Sequence, residues 1–477
     1  MMDSSLQEEI TKILVNRIGD GKVLWEKTDL TPYTRDGYNI RSDEDCKYFP
    51  DLVVFPEMTS DVQEIVRIAA KYKIPLIPKG GGSNRAGMLV PIHGGIIVDT
   101  IKMNCVIEVD AANLSVTVQP GITLKELDEH LARYGLALNQ EQGSIKVATV
   151  GGSISTSGFS RKYQKYGTIV NRIMSLEVVL ADGRVLRTGP KVLYTSTGYR
   201  LHQLFIGAEG TLGIITEATL RVEPLPEAKD AILAFYDDFW AARDAALKVM
   251  ATGVTCTGAE VQEIGEESEL NAPENKKGIF LIIFEGTKEE VRAEVDFVKK
   301  IVEKTKGVFG NHDEALRQMN GYELLWCGTR ATTIGYEDNL MPYIPMDKMR
   351  EFYDKLWDQI MPKYGIKPLP GERYENDIGR YSMAYSQFYI PSGKDGWMKH
   401  KEVKREIAKL VTGLGGSIAS CVGVGIAERD NLDLEFSEVA LDIMREIKHA
   451  LDPDNIMNPG KKIPMKTNKK GISKAKV

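Results

Sequence analysis

Three consecutive glycines stand in Pro78-Lys79-Gly80-Gly81-Gly82-Ser83-Asn84-Arg85-Ala86-Gly87, directly after the apolar run Ile74-Pro75-Leu76-Ile77. A backbone without Cβ atoms can take positive φ and lets a ligand approach it closely. Successive N–H groups in such a loop form a nest for an anion. The stretch therefore suits a phosphate or pyrophosphate. It suits a tight turn between two strands equally well, and alone it does not choose. Two familiar patterns are excluded. Position 85 is Arg, so the G-x-G-x-x-G dinucleotide fingerprint is broken. Gly82 to Gly87 runs into Met88 where a P-loop needs Lys.

At 477 residues the protein is too long for one core, so two or three domains are expected. Lys+Arg 61 against Asp+Glu 67 gives a net charge of −6, which argues against nucleic acid as a partner. Cys46, Cys105, Cys256, Cys327 and Cys421 are scattered and lack C-x-x-C spacing. They read as buried thiols of a reducing compartment. No apolar run approaches the ~20 residues that span a bilayer, and Met1-Met2-Asp3-Ser4 opens no signal peptide. The expectation is a cytoplasmic protein without a transmembrane segment.

Ser5-x-x-Glu8 reads as a capping box, with Leu6, Ile10, Leu14 and Ile18 at helical spacing up to Gly19. Short apolar strands and amphipathic helices then alternate, with Gly or Pro at the junctions, and predict an α+β domain. Asp182-Gly183 between Leu176–Leu180 and Arg184–Arg187 is a hairpin signal. Two further small-residue clusters follow the first. Gly143-Ser-Ile-Lys-Val-Ala-Thr-Val-Gly-Gly-Ser-Ile-Ser-Thr-Ser-Gly158 carries more hydroxyls and glycines than a turn needs. Gly207-Ala-Glu-Gly-Thr-Leu-Gly-Ile-Ile-Thr216 leads into another strand. Pro224-Leu-Pro226 marks a boundary. Beyond it the apolar strand Ile279–Phe284 and the capped helix from Thr287-x-x-Glu290 open an α/β region of about 190 residues. Helical patterns are expected at 346–360, 401–411 and 433–451.

The three glycine clusters and the ending Leu451-Asp-Pro-Asp-Asn-Ile-Met-Asn-Pro-Gly-Lys461 occur in one order, and together they carry a resemblance. Over roughly residues 48–461 the sequence resembles the FAD-linked oxidases of the vanillyl-alcohol-oxidase/p-cresol-methylhydroxylase superfamily. The nearest branch is the D-lactate dehydrogenase/glycolate oxidase D-subunit type. The resemblance implies an α+β fold: a two-part FAD-binding domain of the PCMH type and an α/β, ferredoxin-like substrate cap. The implied boundaries are a lead-in over 1–47, the FAD domain over 48–226, the cap over 227–420, a return over 421–461 and a basic tail over 462–477.

The resemblance also implies site residues. Gly80, Gly81, Gly82, Ser83, Asn84 and Gly87 match the loop that binds the FAD pyrophosphate. Gly143, Ser144, Thr149, Gly151, Gly152, Ser155 and Gly158, continued by Gly167 and Ile169, match the loop that lines pyrophosphate and isoalloxazine. Glu209, Gly213, Ile214 and Ile215 match the segment around the adenosine, and Asn458 the C-terminal return. Ser83-Asn84 stands where relatives often attach the flavin through His, so non-covalent FAD is expected. The resemblance implies a small-molecule substrate and allows a protein redox partner such as an electron-transfer flavoprotein, and a homo-oligomer.

The sequence departs from its branch at two places. The hydroxy-acid enzymes carry His-x-Gly-Asp-Gly-Asn-x-His and Glu-His-Gly-x-Gly, which supply a metal site and a base. Here the corresponding stretches read Gly379–Gln387 and Cys421-Val422-Gly423-Val424-Gly425, without His. No metal is therefore expected. Removal of a hydroxyl proton still needs a base. Tyr381 and Tyr385, with Arg380, are the candidates, in a segment that also holds Tyr374 and Tyr389. An adjacent guanidinium favours a phenolate. The same aromatics fit cap core. Arg330 resembles the arginine that grips a substrate carboxylate. Glu375 and Asp377 are further candidate bases, and His400 is expected at the surface. The leading expectation is an FAD-dependent dehydrogenase of a small alcohol, a 2-hydroxy acid such as D-lactate or glycolate. The alternatives are a phenol-type flavoenzyme of the vanillyl-alcohol branch and an alkyl-transfer flavoenzyme or non-catalytic flavoprotein subunit.

Overall fold

The computed structural model describes residues 2–37, 48–265, 270–321, 336–366, 373–376, 378, 382–390 and 394–465. Helix Ser4–Ile18 starts the fold, but its cap is Asp3, which accepts from Leu6 N, and not Ser5. Strand Leu52–Val54, helix Thr59–Tyr72 and strand Leu76–Lys79 form a parallel crossover, with Ile96–Asp99 between the two strands. All four residues of Ile96–Asp99 are buried, as a strand flanked on both sides requires. Val23–Leu24 completes this four-stranded sheet.

A second sheet is wholly antiparallel, in the order Val106–Asp110, Ser115–Val118, Ile214–Arg221, Ile173–Val179, Val185–Arg187. The expected hairpin is its edge, and Gly183 at φ +81° makes the turn. Helix Leu124–Ala132 packs on it behind a complete Thr123/Glu126 capping box. The second sheet also touches the first: Val179 and Ile214 belong to the core of the parallel sheet.

The third sheet carries the cap. Its order is Val308–Phe309, Ala228–Tyr236, Gly278–Gly286, Gly258–Glu263, Tyr374–Asn376, Ser382–Ile390, Tyr336–Leu340, all antiparallel. Alternation gives it two faces. Ile232, Ala234, Val261, Phe280, Ile282 and Ala384 point into a core shared with the helices Phe239–Met250, Lys288–Lys304 and Lys394–Gly413. Leu233, Ile279, Leu281, Glu260, Gln262, Tyr374 and Met383 belong to the opposite face, toward the glycine loops. His400 lies in helix Lys394–Gly413 and is buried, against the surface position expected.

Helix Glu438–Leu451 leads back to the first sheet. Leu76 N donates to Ile456 O and Asn458 N to Leu76 O, both at 2.7 Å. No helix among the described residues is long and apolar enough to cross a membrane.

Candidate active site

Strand Leu76–Lys79 ends in the triple glycine, and the surroundings explain why no side chain is tolerated. A Cβ on Gly80 would lie 2.2 Å from Thr149 Oγ1, and one on Gly81 would lie 1.6 Å from Val147 O. The first loop therefore presses directly on the second. Gly82 takes φ +75°. Asn84 Oδ1 accepts from Ala86 N, and its Nδ2 donates to Val422 O at 2.9 Å. In the second loop Thr149 caps the short helix Val150–Thr156, and Gly151 sits against Pro120, where a Cβ would meet ring carbon at 2.5 Å.

The third loop and the C-terminal return close the site from below. Glu209, at φ +55° and buried, accepts from Val424 N at 2.8 Å and Gly425 N at 2.9 Å. Asn458 Nδ2 donates to Glu209 O at 2.7 Å. Lys448, buried beside Asp452, donates to Thr211 O and Met457 O, both at 2.8 Å.

These loops and the cap face enclose a cavity of about 740 Å³, within the range of small-molecule sites. It is lined by Gly80, Gly81, Gly82, Ser83, Asn84, Gly143, Ser144, Thr149, Gly151, Gly152, Ser155, Gly158, Glu209, Gly213, Ile214, Ile215 and Asn458. Three residues expected at the cofactor do not line it. Ile169 is fully buried in the core of the second sheet. Gly167, at φ +73°, ends the short helix Tyr163–Tyr166 with no space for a side chain beside Asn171. Gly87, at φ +76°, makes a buried bend.

Of the catalytic candidates, Arg330, Arg380 and Tyr381 lie outside the described residues, as does Asp377. Tyr385 lies on strand Ser382–Ile390, its Cα opposite Tyr374, which lines the cavity. Glu375 is not available as a base. It is wholly buried on the helix face of the cap, where Arg243 Nε donates to both its oxygens at 2.9 and 3.0 Å and Ser382 Oγ at 2.7 Å. No histidine is among the lining residues, and among the described residues no group of three or more His, Cys, Asp or Glu could hold a metal ion. Cys421 lines the cavity, and burial pushes its thiol up to about 12. Cys256 is buried, but Cys105 is exposed, against expectation.

Sequence reasoning missed the polar groups that join the walls. Arg161 follows the second loop, is buried, and makes a bidentate pair with Glu260 of the cap sheet. Its Nη1 donates to the carbonyls of Gln318 and Met319 at 3.0 and 2.9 Å. Burial opposes its charge, and the Glu260 carboxylate more than offsets this, so its pKa is raised. Lys79, under the first loop, pairs with buried Asp99 at 2.8 Å and stands over the Tyr33 ring. Burial and the Asp99 charge push Tyr33 up to about 12.

The donor set fits a dinucleotide flavin. Backbone without side chains, hydroxyls at Ser83, Thr149 and Ser155, and the buried Asn458 Oδ1, which has no protein partner, all border the cavity. Glycine loops backed by a cap sheet define an FAD-linked oxidoreductase, and sequence comparison agrees. The FAD binding domain model matches residues 50–189, and the C-terminal domain of FAD-linked oxidases matches residues 384–462. The protein belongs to the FAD-linked oxidase family, and FAD is its cofactor.

Within the family it is similar to hydroxy-acid enzymes. It is 31% identical over 421 residues to a D-lactate dehydrogenase of Archaeoglobus fulgidus, covering 86% of this sequence and 90% of that one. It is 28% identical over 448 residues to the glycolate oxidase subunit GlcD of Bacillus subtilis, covering 91% and 94%. Among solved structures, p-cresol methylhydroxylase with substrate bound shares the fold, at a TM-score of 0.79 and 17% identity over 96% of this protein and 97% of that one.

Proposed function

We propose that this enzyme dehydrogenates the hydroxyl-bearing carbon of a 2-hydroxy acid, with D-lactate and glycolate as its simplest substrates, and passes the electrons to a protein acceptor such as an electron-transfer flavoprotein. The observation that carries the reading is the cavity between the glycine loops and one face of the cap sheet. It brings a cofactor wall and a substrate wall together. The names of the hydroxy-acid relatives support the substrate class.

In this reading the FAD domain spans 48–226, the cap 227–420 and the return 421–461. Backbone amides of Gly80–Gly82 hold the pyrophosphate, with Ser83, Asn84 and Thr149 beside it. Gly143, Ser144, Gly151, Gly152, Ser155 and Gly158 border the flavin. Glu209, Gly213, Ile214, Ile215 and Asn458 hold its other side. Bound FAD supplies the hydride acceptor. The protein must bind the substrate carboxylate and take the hydroxyl proton. Arg330 is assigned the first task, and Tyr381 and Tyr385, with Arg380, the second. The flavin is held without a covalent bond: Ser83-Asn84 offers no nucleophile of the usual kind, and the buried Cys421 thiol stays protonated.

A second reading, oxidation of a 4-alkylphenol, is favoured by Tyr374 at the cavity and by the lack of histidine among its lining residues. Anaerobic mixing of the holoenzyme with glycolate, D-lactate, longer 2-hydroxy acids and 4-alkylphenols separates the two. Bleaching of the flavin by hydroxy acids is expected; bleaching by phenols alone would overturn the first reading.

A further inference from the structure

We infer that Lys79 supplies the positive charge of the pyrophosphate site formed by the first glycine loop; this rests on the reading above that places the FAD pyrophosphate on Gly80–Gly82. Lys79 ends strand Leu76–Lys79 and adjoins Gly80 directly. Its side chain folds back beneath the loop. A Cβ on Gly82 would lie 3.4 Å from Lys79 Cε and 3.8 Å from its Nζ. An ammonium has three N–H donors. This one donates to Asp99 Oδ2 at 2.8 Å and to Gly80 O at 3.0 Å, and stands 5.5 Å from the centroid of the Tyr33 ring. The Gly80 carbonyl, which would repel an anion on the loop, is thereby held by a cation.

The ion pair is oriented. Lys79 lines the cavity and its side chain is 21% exposed, whereas Asp99 is 2% exposed and is not among the lining residues. The cation therefore lies between the cavity and the carboxylate, and the positive end of the pair faces the loop. Asp99 is fixed in turn by Ile101 N, which donates to its Oδ1 at 3.2 Å. The Tyr33 phenol, pushed up to about 12 by burial and by Asp99, stays neutral at ordinary pH and adds no opposing charge. The FAD pyrophosphate carries two negative charges, which loop amides meet with partial charges only. Arg161, another lining cation, is held from the cap by Glu260. Lys79 is the cation continuous with the glycines.

The test is the Kd of FAD for the flavin-free protein, read by quenching of flavin fluorescence. Wild type is compared with Lys79→Met, Lys79→Arg and Asp99→Asn, and Gly81→Val is the control on the site itself. Lys79→Met is expected to weaken FAD binding about tenfold or more, the loss typical of a hydrogen-bonding charge. Lys79→Arg should recover most of it. Asp99→Asn keeps an acceptor for the ammonium and removes the opposing charge, so it should bind FAD at least as tightly as wild type. Raising KCl from about 20 mM to about 500 mM should weaken the wild type more than Lys79→Met, because screening acts on the charge that the variant lacks. Circular dichroism and the thermal midpoint without FAD check that each variant folds. If Lys79→Met does not, Lys79→Met/Asp99→Asn, which strands no buried carboxylate, is expected to show the same loss. A pair that only supports the fold would make Lys79→Met and Asp99→Asn lose affinity alike. That result, or unchanged affinity in Lys79→Met while Gly81→Val binds weakly, overturns this inference and leaves the pyrophosphate reading standing. Undiminished binding in both Lys79→Met and Gly81→Val overturns both.

Discussion

Gly81 concentrates the constraint on the cofactor wall into one residue. A Cβ there would overlap the Val147 carbonyl at 1.6 Å, and the obstacle is backbone, which cannot swing aside. Gly81→Ala is expected to destabilise the protein by about 1–3 kcal/mol through overpacking and to lower its flavin content, both measurable on purified protein. Lys461 offers a pH signature. Burial pulls its pKa down to about 7, against the pull of Asp36. The unfolded state holds that proton up to about 10.4. Between about pH 7 and 10 the unfolded state binds more protons, so stability rises with pH across this window, by up to about 1.4 kcal/mol per unit, and levels off below it. Thermal midpoints from pH 6 to 10 should show this slope in the wild type and a flatter one in Lys461→Met. Equal slopes would remove Lys461 as its source. Glycines such as Gly81 were legible in the sequence because they answer a local demand for missing side chains. Arg161 was not. Its partner Glu260 is 99 residues away, and nothing near Gly158-Phe159-Ser160 signals an ion pair.

At the scale of elements, helix Phe239–Met250 is fixed to the cap sheet by the Arg243–Glu375 pair, both residues buried. Removing only the cation strands a carboxylate whose pKa burial already raises. Arg243→Met is expected to cost about 3–5 kcal/mol in urea unfolding, and the double change Arg243→Met/Glu375→Leu should recover much of it. If the single and double variants unfold alike, the pair is not what holds the helix. The sequence made local elements readable: the Thr123 and Thr287 capping boxes and the Asp182-Gly183 hairpin stand where their motifs lie. Faces were harder. Ile279–Phe284 is uniformly apolar, so no alternation could say that Ile279 and Leu281 face the cavity while Phe280 and Ile282 face the helices. That parity is fixed by pairing with Ala228–Tyr236 and Gly258–Glu263. His400 was misassigned for the same reason. Its helix, rich in Lys and Glu, turns one face into the cap core.

For the whole molecule the decisive feature is how the two walls are joined. Arg161 ties the second glycine loop to Glu260, and Lys162 pairs with Glu285 at 3.0 Å on the neighbouring strand. The segment that borders the cavity thus also docks the third sheet, so in the proposed reading cofactor site and substrate wall are one structure. Glu260→Ala leaves the Arg161 guanidinium buried without its anion. It is expected to weaken FAD binding by about 10-fold or more, from the 2–5 kcal/mol attached to truncating such a pair, part of which falls on cap docking. Flavin release on dilution reads this directly, and unchanged affinity would separate cap docking from cofactor binding. Family membership was legible because four motifs recur in one order. The make-up of the cavity's third-sheet wall was not, because it is set by pairing between strands distant in sequence.

In the proposed reading the cavity walled by the three glycine loops is the FAD site. Titration of flavin-free protein with FAD, followed by quenching of flavin fluorescence, tests it most directly when wild type is compared with Gly81→Val and Gly152→Val. The wild type is expected to bind FAD stoichiometrically and to release it intact on acid denaturation. Both variants should keep the far-ultraviolet circular dichroism of a folded protein, Gly81→Val with a lowered thermal midpoint, and bind FAD at least about tenfold more weakly, since the first side chain displaces the Val147 backbone of the second loop and the second stands at a residue lining the cavity. Undiminished affinity in both folded variants would show that FAD binds elsewhere.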